Sequence, residues 1–351
     1  MSGYNVAVVG ATGAVGRVFL QLLEERRFPV RELRLLASQR SAGQRLTVLG
    51  QELEVRETPL SPETFRDVDI AFISVSADLS RRLAPLAVEA GALVIDDSSA
   101  FRMELQVPLV VPEINSSDLE GHQGIIAIPN CTTTQLVMAL WPLQQANPIR
   151  RVVVDTYQAV SGTGGAAMRE LREQAQRVLE GREAEPQVYP HQIAFNLLPH
   201  IEPFLPDGYT KEERKVLEES RKIMHAPEIA ISATCVRVPV SVSHSEAVHV
   251  EFTRPMSPQQ ARELLAQAPG VRVLDDPAED GYPTPWSVAG TDEVYVGRIR
   301  QDVSHPHGLA MWVVADNLRK GAALNALQIA ETLIAQGLLP VQEPLQRTRQ
   351  G

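Results

Sequence analysis

Cysteine is scarce, with two in 351 residues, Cys131 and Cys235, far apart in the chain. That excludes a disulfide-stapled secreted framework and offers no metal-binding spacing, so a reducing compartment is expected. Positive charge is also in short supply: 33 basic against 43 acidic residues leave a net charge of -10. A broad basic footprint for nucleic acid is thereby excluded, although a local basic pocket for a small anion is not. No apolar run approaches the roughly 18 residues of a membrane span. The start MSGYNVAVVGATG enters a strand pattern directly, without a basic n-region or cleavage signal. A cytoplasmic, soluble protein is the expectation. Internal repeats and low-complexity tracts are absent.

With 44% hydrophobic residues, the chain can bury a core in each of two domains. In the first third, short β-branched runs alternate with longer amphipathic stretches: Asn5 to Val9, Arg17 to Glu25, Leu33 to Ala37, Ile70 to Val75, Leu79 to Ala90, Leu93 to Asp97. That rhythm predicts a parallel sheet with crossover helices. From Arg151 the strand-like runs lengthen and alternate, as in Arg151 to Val160, Ile229 to Val238 and Ala247 to Phe252, with a helix over Ala166 to Leu179. An α+β region with a more antiparallel sheet is expected there. A last strand, Ala310 to Val314, leads into a helix carrying Leu324, Leu327, Ile329 and Leu333, the kind that packs back on the first domain. Glu180 to Pro190 reads as a loop, and Gln342 to Gly351 as a frayed end. The fold class is therefore α/β: a Rossmann-type dinucleotide-binding domain over 1–130 plus 315–351, and an α+β catalytic and dimerisation domain over 131–314.

Strand, glycine turn and helix follow one another at Val6 to Val9, Gly10-Ala11-Thr12-Gly13-Ala14-Val15-Gly16 and the helix beyond. Glycines let the backbone turn tightly and approach a pyrophosphate held at the positive end of the helix. The spacing, G-x-x-G-x-x-G, departs from the common fingerprint, and such a turn can also be a plain strand-to-helix connection. Gly10, Thr12, Gly13, Ala14 and Val15 are the candidate cofactor contacts. After the second strand, Ser38-Gln39-Arg40-Ser41 offers no acid for a ribose 2′-hydroxyl. An arginine and the hydroxyls of Ser38 and Ser41 suit a 2′-phosphate, which favours NADP over NAD; the bland alternative is a solvated loop.

Gly124 to Gln135, GIIAIPNCTTTQ, reads as a buried strand, a sharp turn and a helix start. Cys131 then sits where unpaired N–H groups and the helix dipole favour a thiolate, able to attack a carbonyl with the same N–H groups holding the oxyanion. An arbitrary cysteine is more often a small buried hydrophobe. Cys235, inside the alternating run Ile231 to Val238 with no turn beside it, reads that way.

Several segments resemble the aspartate-semialdehyde dehydrogenase family, its bacterial branch most of all. They are the GATGAVG turn, ASQRSAG at Ala37 to Gly43, SSAFR at Ser98 to Arg102, VPEIN at Val111 to Asn115, PNCTTTQ, TYQAVSGTG at Thr156 to Gly164 and CVRVPVSVSHSE at Cys235 to Glu246. The match runs in the family's order over nearly the whole chain. It implies that β-aspartyl phosphate acylates Cys131, phosphate leaves, and NADPH reduces the thioester to aspartate β-semialdehyde, a step toward lysine, diaminopimelate, methionine, threonine and isoleucine. It further implies His244 as acid/base, Arg237 as the grip on the substrate's α-carboxylate, Gln158 as its orienting group and Asn130 as support for the nucleophile turn. Arg102 and Lys215 correspond to cations that receive phosphate, Glu212 to the partner of the amino group, and Ser161, Gly162 and Asn317 to positions near the nicotinamide. A homodimer is implied as well. On spacing alone Glu212 and Lys215 are an ordinary surface helix pair. Arg237 and His244 would point to opposite faces of one straight strand, so the chain must turn between them, and Pro239 with Ser241 to Ser243 supplies a bend. His305 and His307 lack a partner pattern, and no metal is expected. The alternatives are a sibling acting on another acyl phosphate, such as N-acetyl-glutamyl-phosphate reductase or glyceraldehyde-3-phosphate dehydrogenase, and a non-catalytic homologue.

Overall fold

In the computed structural model, which describes residues 3–339, the short apolar runs of the first third are buried on both faces, as strands of a covered parallel sheet must be. The chain forms β1 (Tyr4–Val9), α1 (Ala14–Glu25), β2 (Val30–Ala37), a hairpin of β3 (Arg45–Val48) and β4 (Gln51–Glu54), and the two-residue β5 (Arg56–Glu57). Then follow β6 (Ile70–Ile73), α2 (Ala77–Glu89), β7 (Leu93–Asp96), α3 (Pro112–Asn115) and β8 (Ile125–Ala127). Six of these strands make one sheet in the order β5-β2-β1-β6-β7-β8, and every pairing in it is parallel. The order reverses at β1, which places a crevice beyond its carboxyl end.

The second part begins with α4 (Cys131–Ala146), β9 (Ile149–Gln158), α5 (Gly165–Leu179), α6 (Lys211–Ile223), β10 (Ala230–Arg237) and β11 (His244–Phe252). It ends with α7 (Pro258–Gln267), β12 (Val271–Val273), α8 (Pro285–Val288), β13 (Val294–Gln301), β14 (Gly308–Ala315) and α9 (Leu324–Ala335). Its sheet runs β10-β9-β11-β14-β13-β12. The pairs β10/β9 and β12/β13 are parallel and the inner pairs antiparallel, so the sheet is mixed, parallel at both edges. Alternation gives this sheet one inward face, where Val152, Val154, Val248, Val250, Met311 and Val313 pack under the helices. On the opposite face Tyr157 and Trp312 meet with ring centroids 5.4 Å apart.

Two features lock the halves together. α4 is buried on all sides from Thr132 to Leu140 and lies over the second sheet. α9 returns to the first sheet, burying Leu324, Leu327, Ile329 and Leu333 in the same cluster as β1, α1 and β7. A π-helical turn, Arg319–Ala323, joins β14 to α9. Lys320 within it is fully buried, and its Nζ donates to Glu113 Oε2 (2.6 Å), Asn325 Oδ1 (3.0 Å) and Gln328 Oε1 (2.6 Å). Pairing plus two neutral acceptors is what a buried ammonium requires. The stretch from Glu180 to Pro190 holds no regular element, and the frayed end expected at 342–351 lies outside the described residues.

Candidate active site

The turn that carries Cys131 is built by Asn130. As the N-cap of α4, its Oδ1 accepts from the Thr132 and Thr133 backbone N–H groups (2.9 and 3.4 Å), while its own N–H and its Nδ2 donate to Glu219 Oε2 (2.6 Å) and Glu212 Oε1 (2.9 Å). One side chain thus caps the helix and ties it to α6. Cys131 is the first residue of α4 and lines the large cleft between the two sheets.

Three strand ends converge on that cleft. β10 and β11 flank β9 on opposite sides, so Gln158, Arg237 and His244, at the end of β9, the end of β10 and the start of β11, come together although the chain separates them. The connection 238–243 crosses the end of β9: Val238 N–H donates to Gln158 O (3.0 Å), and Ser243 turns with φ 76°. The bend expected between Arg237 and His244 is present.

His244 Nε2 lies 3.2 Å from Cys131 Sγ. Its Nδ1 accepts from the Ala159 backbone N–H (2.9 Å), so the neutral ring carries its hydrogen on Nε2 and points it at the sulfur. An imidazolium would set two donors against each other at Nδ1. Burial, with Arg237 adding to it, pushes the His244 pKa down to about 3. Burial likewise pushes the Cys131 thiol up to about 12; Glu212 adds to the rise while Arg237 and Arg102 oppose it. The expectation of a resting thiolate is therefore corrected. Desolvation outweighs the helix N-terminus, and the chain by itself holds a neutral thiol beside a neutral imidazole.

Charged groups surround this pair, with Glu212, Glu219, Arg102 and Arg237 buried and Lys215 partly so. Glu212 accepts from Asn130 Nδ2, Gln158 Nε2 (3.0 Å) and Lys215 Nζ (3.2 Å). Against the upward pull of its burial, Lys215, Gln158 and Asn130 bring its carboxyl down to about 2. Lys215 also donates to Glu202 Oε1 (2.6 Å), and Glu212 is 4% exposed, so the pair is not a solvated helix pair. Arg102 donates to Glu219 Oε1 (3.1 Å) and Asp97 O (2.8 Å), and Arg237 NH1 to Ala159 O (2.8 Å). The Nε atoms of both arginines are buried without a partner among the described residues. Two guanidinium groups with a spare donor each face a cleft that can take an anion.

Along the same cleft the glycine turn meets α1. A Cβ at Gly10 (φ 90°) would stand 2.2 Å from Ser74 O, and one at Gly16 2.2 Å from Gly10 O, so both positions exclude a side chain. Gly13 caps α1 without a side-chain hydrogen bond and the first turn holds no acid, which leaves its N–H groups for an anionic ligand. These residues fit a dinucleotide. Thr12 Oγ1 donates to Ser41 Oγ (3.2 Å), which draws the second loop against the turn; Ser38 and Arg40 lie exposed beside it. The cleft, about 870 Å³, runs from Val15 past Ser98, Cys131, Ser161 and Gly162 to Asn317. Asn317 Oδ1 accepts from Ser161 Oγ (2.9 Å) and the Ser243 N–H (2.9 Å). All the predicted residues but the exposed Ser38 and Arg40 therefore gather around the cleft or the turn that opens it, Ser41 through its bond to Thr12.

Family models describing a semialdehyde dehydrogenase NAD-binding domain and a semialdehyde dehydrogenase dimerisation domain match residues 5–122 and 140–320. The chain is 54% identical to the aspartate-semialdehyde dehydrogenase of Aquifex aeolicus (strain VF5), over 96% of this chain and 100% of that one. The chain belongs to the aspartate-semialdehyde dehydrogenase family. It is accordingly an oxidoreductase acting on an aldehyde group, with an NAD(P)-binding first domain. The enzyme of Bacillus subtilis (strain 168) is 50% identical over 94% of this chain and 97% of its own. The structure of aspartate semialdehyde dehydrogenase II from Vibrio cholerae complexed with ASA superimposes with a TM-score of 0.90 at 45% identity, covering 95% of this chain and 99% of that one. The Candida albicans enzyme solved with NADP gives 0.74 at 28% identity, covering 96% and 100%.

Sequence reasoning missed Glu219, Gly321 and the Ala159 N–H. Glu219 lies four residues beyond Lys215 and seven beyond Glu212 on α6, one helical face, so periodicity carried the signal. A Cβ on Gly321 would stand 2.9 Å from Cys131 Cβ. Only the folded chain shows that the π-helical turn backs Cys131.

Proposed function

We propose that this enzyme uses NADPH to convert β-aspartyl phosphate to aspartate β-semialdehyde and inorganic phosphate through a thioacyl Cys131. It would thereby serve the synthesis of lysine and diaminopimelate, methionine, threonine and isoleucine in the cytoplasm, as a homodimer. The observation that carries this reading is the 3.2 Å contact between Cys131 Sγ and His244 Nε2 at the start of a helix, within a cleft ringed by Arg102, Lys215 and Arg237. The domain limits go with it: 1–130 plus 315–351 for the cofactor, 131–314 for catalysis and dimerisation.

Arg237, whose side chain lines the cleft, takes the substrate's α-carboxylate, and Gln158 orients the acyl group. Glu212 answers the amino group, while Arg102 and Lys215 hold the phosphate. For sulfur to attack, its proton must leave. The imidazole 3.2 Å away is the acceptor within reach; for this the Ala159 N–H contact must loosen and the ring hydrogen move from Nε2 to Nδ1, after which Nε2 takes the thiol proton and becomes an N–H donor. The C–S bond then forms as the acyl C–O bond breaks, and phosphate departs with that electron pair. First-turn N–H groups of α4 and the His244 Nε2–H stabilise the oxyanion. Gly10, Thr12, Gly13, Ala14 and Val15 would hold NADPH, with Ser38, Arg40 and Ser41 toward its 2′-phosphate and Ser161, Gly162 and Asn317 toward its nicotinamide, and the cofactor would supply the hydride for reduction of the thioester.

A steady-state assay of the semialdehydes with NADP and phosphate tests this reading. Aspartate β-semialdehyde is the expected substrate, and preference for the acetylated glutamyl compound would overturn the choice. Cys131→Ala abolishes turnover while cofactor binding persists, and Cys235→Ala keeps most activity; normal turnover by Cys131→Ala would refute the thioacyl route.

A further inference from the structure

Glu246 is an acid that the reaction leaves unused. It lies two residues beyond His244 on β11, in phase with the inward-facing Val248, Val250 and Phe252, and is fully buried. The register sets it between Thr156 of β9 and Val313 of β14. From α4 the carboxamide of Gln135, 1% exposed, faces it. Among the described residues, neither Glu246 carboxyl oxygen and neither end of the Gln135 carboxamide has a hydrogen-bond partner of good geometry. The titratable groups nearest it are Cys235 on β10 and His244 two residues back on its own strand; no cation is among the groups that shift its carboxyl.

Two unpaired buried polar groups facing each other are costly unless they pair. An unpaired carboxylate costs far more, so Glu246 takes its neutral form; burial drives its carboxyl well above the usual range. A neutral carboxyl offers one donor and one acceptor, the complement of a carboxamide. Spacing makes the pair relevant to the site. Gln135 follows Cys131 by one helical turn, about 6 Å of rise. Glu246 follows His244 by two strand residues, about 6.6 Å. The helix and the strand are therefore bridged twice at matching intervals, once by Cys131 and His244 and once by Gln135 and Glu246.

We propose that Gln135 and Glu246 form a second rung between α4 and β11, the carboxyl donating to the carboxamide oxygen and the carboxamide donating back, which holds Cys131 and His244 at reacting distance. Glu246 is thus a positioning residue that touches neither substrate nor cofactor. Its effect on turnover rests on the thioacyl reading; its effect on the reactivity of the cysteine does not.

The test uses the full-length enzyme and two readouts: steady-state kinetics, and the rate of Cys131 alkylation by iodoacetamide against pH in a Cys235→Ala background. Glu246→Met deletes the rung and should lower kcat roughly tenfold to a hundredfold, with KM for NADPH little changed and the alkylation profile displaced. Glu246→Gln restores a donor and an acceptor, and should return both readouts to within about threefold of the parent. If Glu246→Met fails to fold, Gln135→Met/Glu246→Met supplies an apolar rung without a buried unpaired group and should show the same kinetic loss. Parental kcat and profile in Glu246→Met, or in the double variant where it replaces it, would overturn the proposal. So would a Glu246→Gln as impaired as Glu246→Met, since an ionised carboxylate would then be required. Failure of the thioacyl reading shows separately, as turnover surviving in Cys131→Ala.

Discussion

Glu212→Gln changes one atom of the site and removes the charge on which Asn130, Gln158 and Lys215 converge. Glu212 is buried, so the effect is not discounted for solvent screening. Its carboxyl falls from an ordinary 4.5 to about 2, because the lowering by Lys215, Gln158 and Asn130 exceeds the raising by burial. A depressed carboxyl stabilises the fold above its unfolded value and loses that contribution as pH falls through the folded value. Each tenfold gain in acidity is worth about 1.4 kcal/mol, so the contribution is on the order of 3 kcal/mol, present above pH 4.5 and gone near pH 2. Glutamine does not titrate. Urea unfolding followed by tryptophan fluorescence, in a pH series running downward from neutral for as long as the fold survives, should show Glu212→Gln less stable than the parent at neutral pH. The gap should narrow steadily below pH 4.5. A gap that stays constant across that range would refute the view that an ionised Glu212 is the electrostatic pivot of the site.

Asn130→Ala removes the α4 cap and a donor to Glu212, a loss of about 2–4 kcal/mol in unfolding free energy. Denaturant midpoints check it, and a loss below about 0.5 kcal/mol would show that the turn holds without the cap. Gly321→Ala sets a methyl against Cys131 Cβ at a starting separation of 2.9 Å, so one of the two must shift. Stopped-flow or steady-state assay should show kcat falling up to about tenfold with the Tm barely changed, and parental kcat would mean that the π-helical turn yields freely.

Much of the fold was legible in local pattern. The runs at Val6 to Val9, Ile70 to Ile73 and Leu93 to Asp96 are apolar and short, and their glycine and helix punctuation predicts a parallel sheet, as found. The convergence of Gln158, Arg237 and His244 was not legible, because it depends on β10 and β11 choosing opposite sides of β9, a non-local pairing that periodicity does not encode. Glu212 and Lys215 illustrate the same limit from the side of charge. Their spacing is that of a surface pair, and only the packing of α6 against α4 and β10 buries Glu212 and leaves Lys215 partly covered beside it. Glu246 falls just before the run expected at Ala247 to Phe252; the strand starts at His244, so Glu246 shares the inward phase of Val248 and Phe252, a signal that the sequence reading left unused.

The two cysteines separate position from acidity. Cys235 is buried and Cys131 partly so, and desolvation drives both thiols upward. Resting thiolate character therefore distinguishes neither. Cys235 is enclosed in β10, where its N–H donates to Glu213 Oε1 (3.0 Å), and it is not among the residues lining the Cys131 cleft. Cys131 borders the cleft, stands on the first turn of α4, and has an imidazole 3.2 Å from its sulfur. Charge that develops on sulfur or on an attacked carbonyl therefore meets donors only at Cys131. Holding the resting pair neutral keeps a reactive thiolate from forming before a substrate is present, and the helix N-terminus then acts on the charge that forms during the reaction.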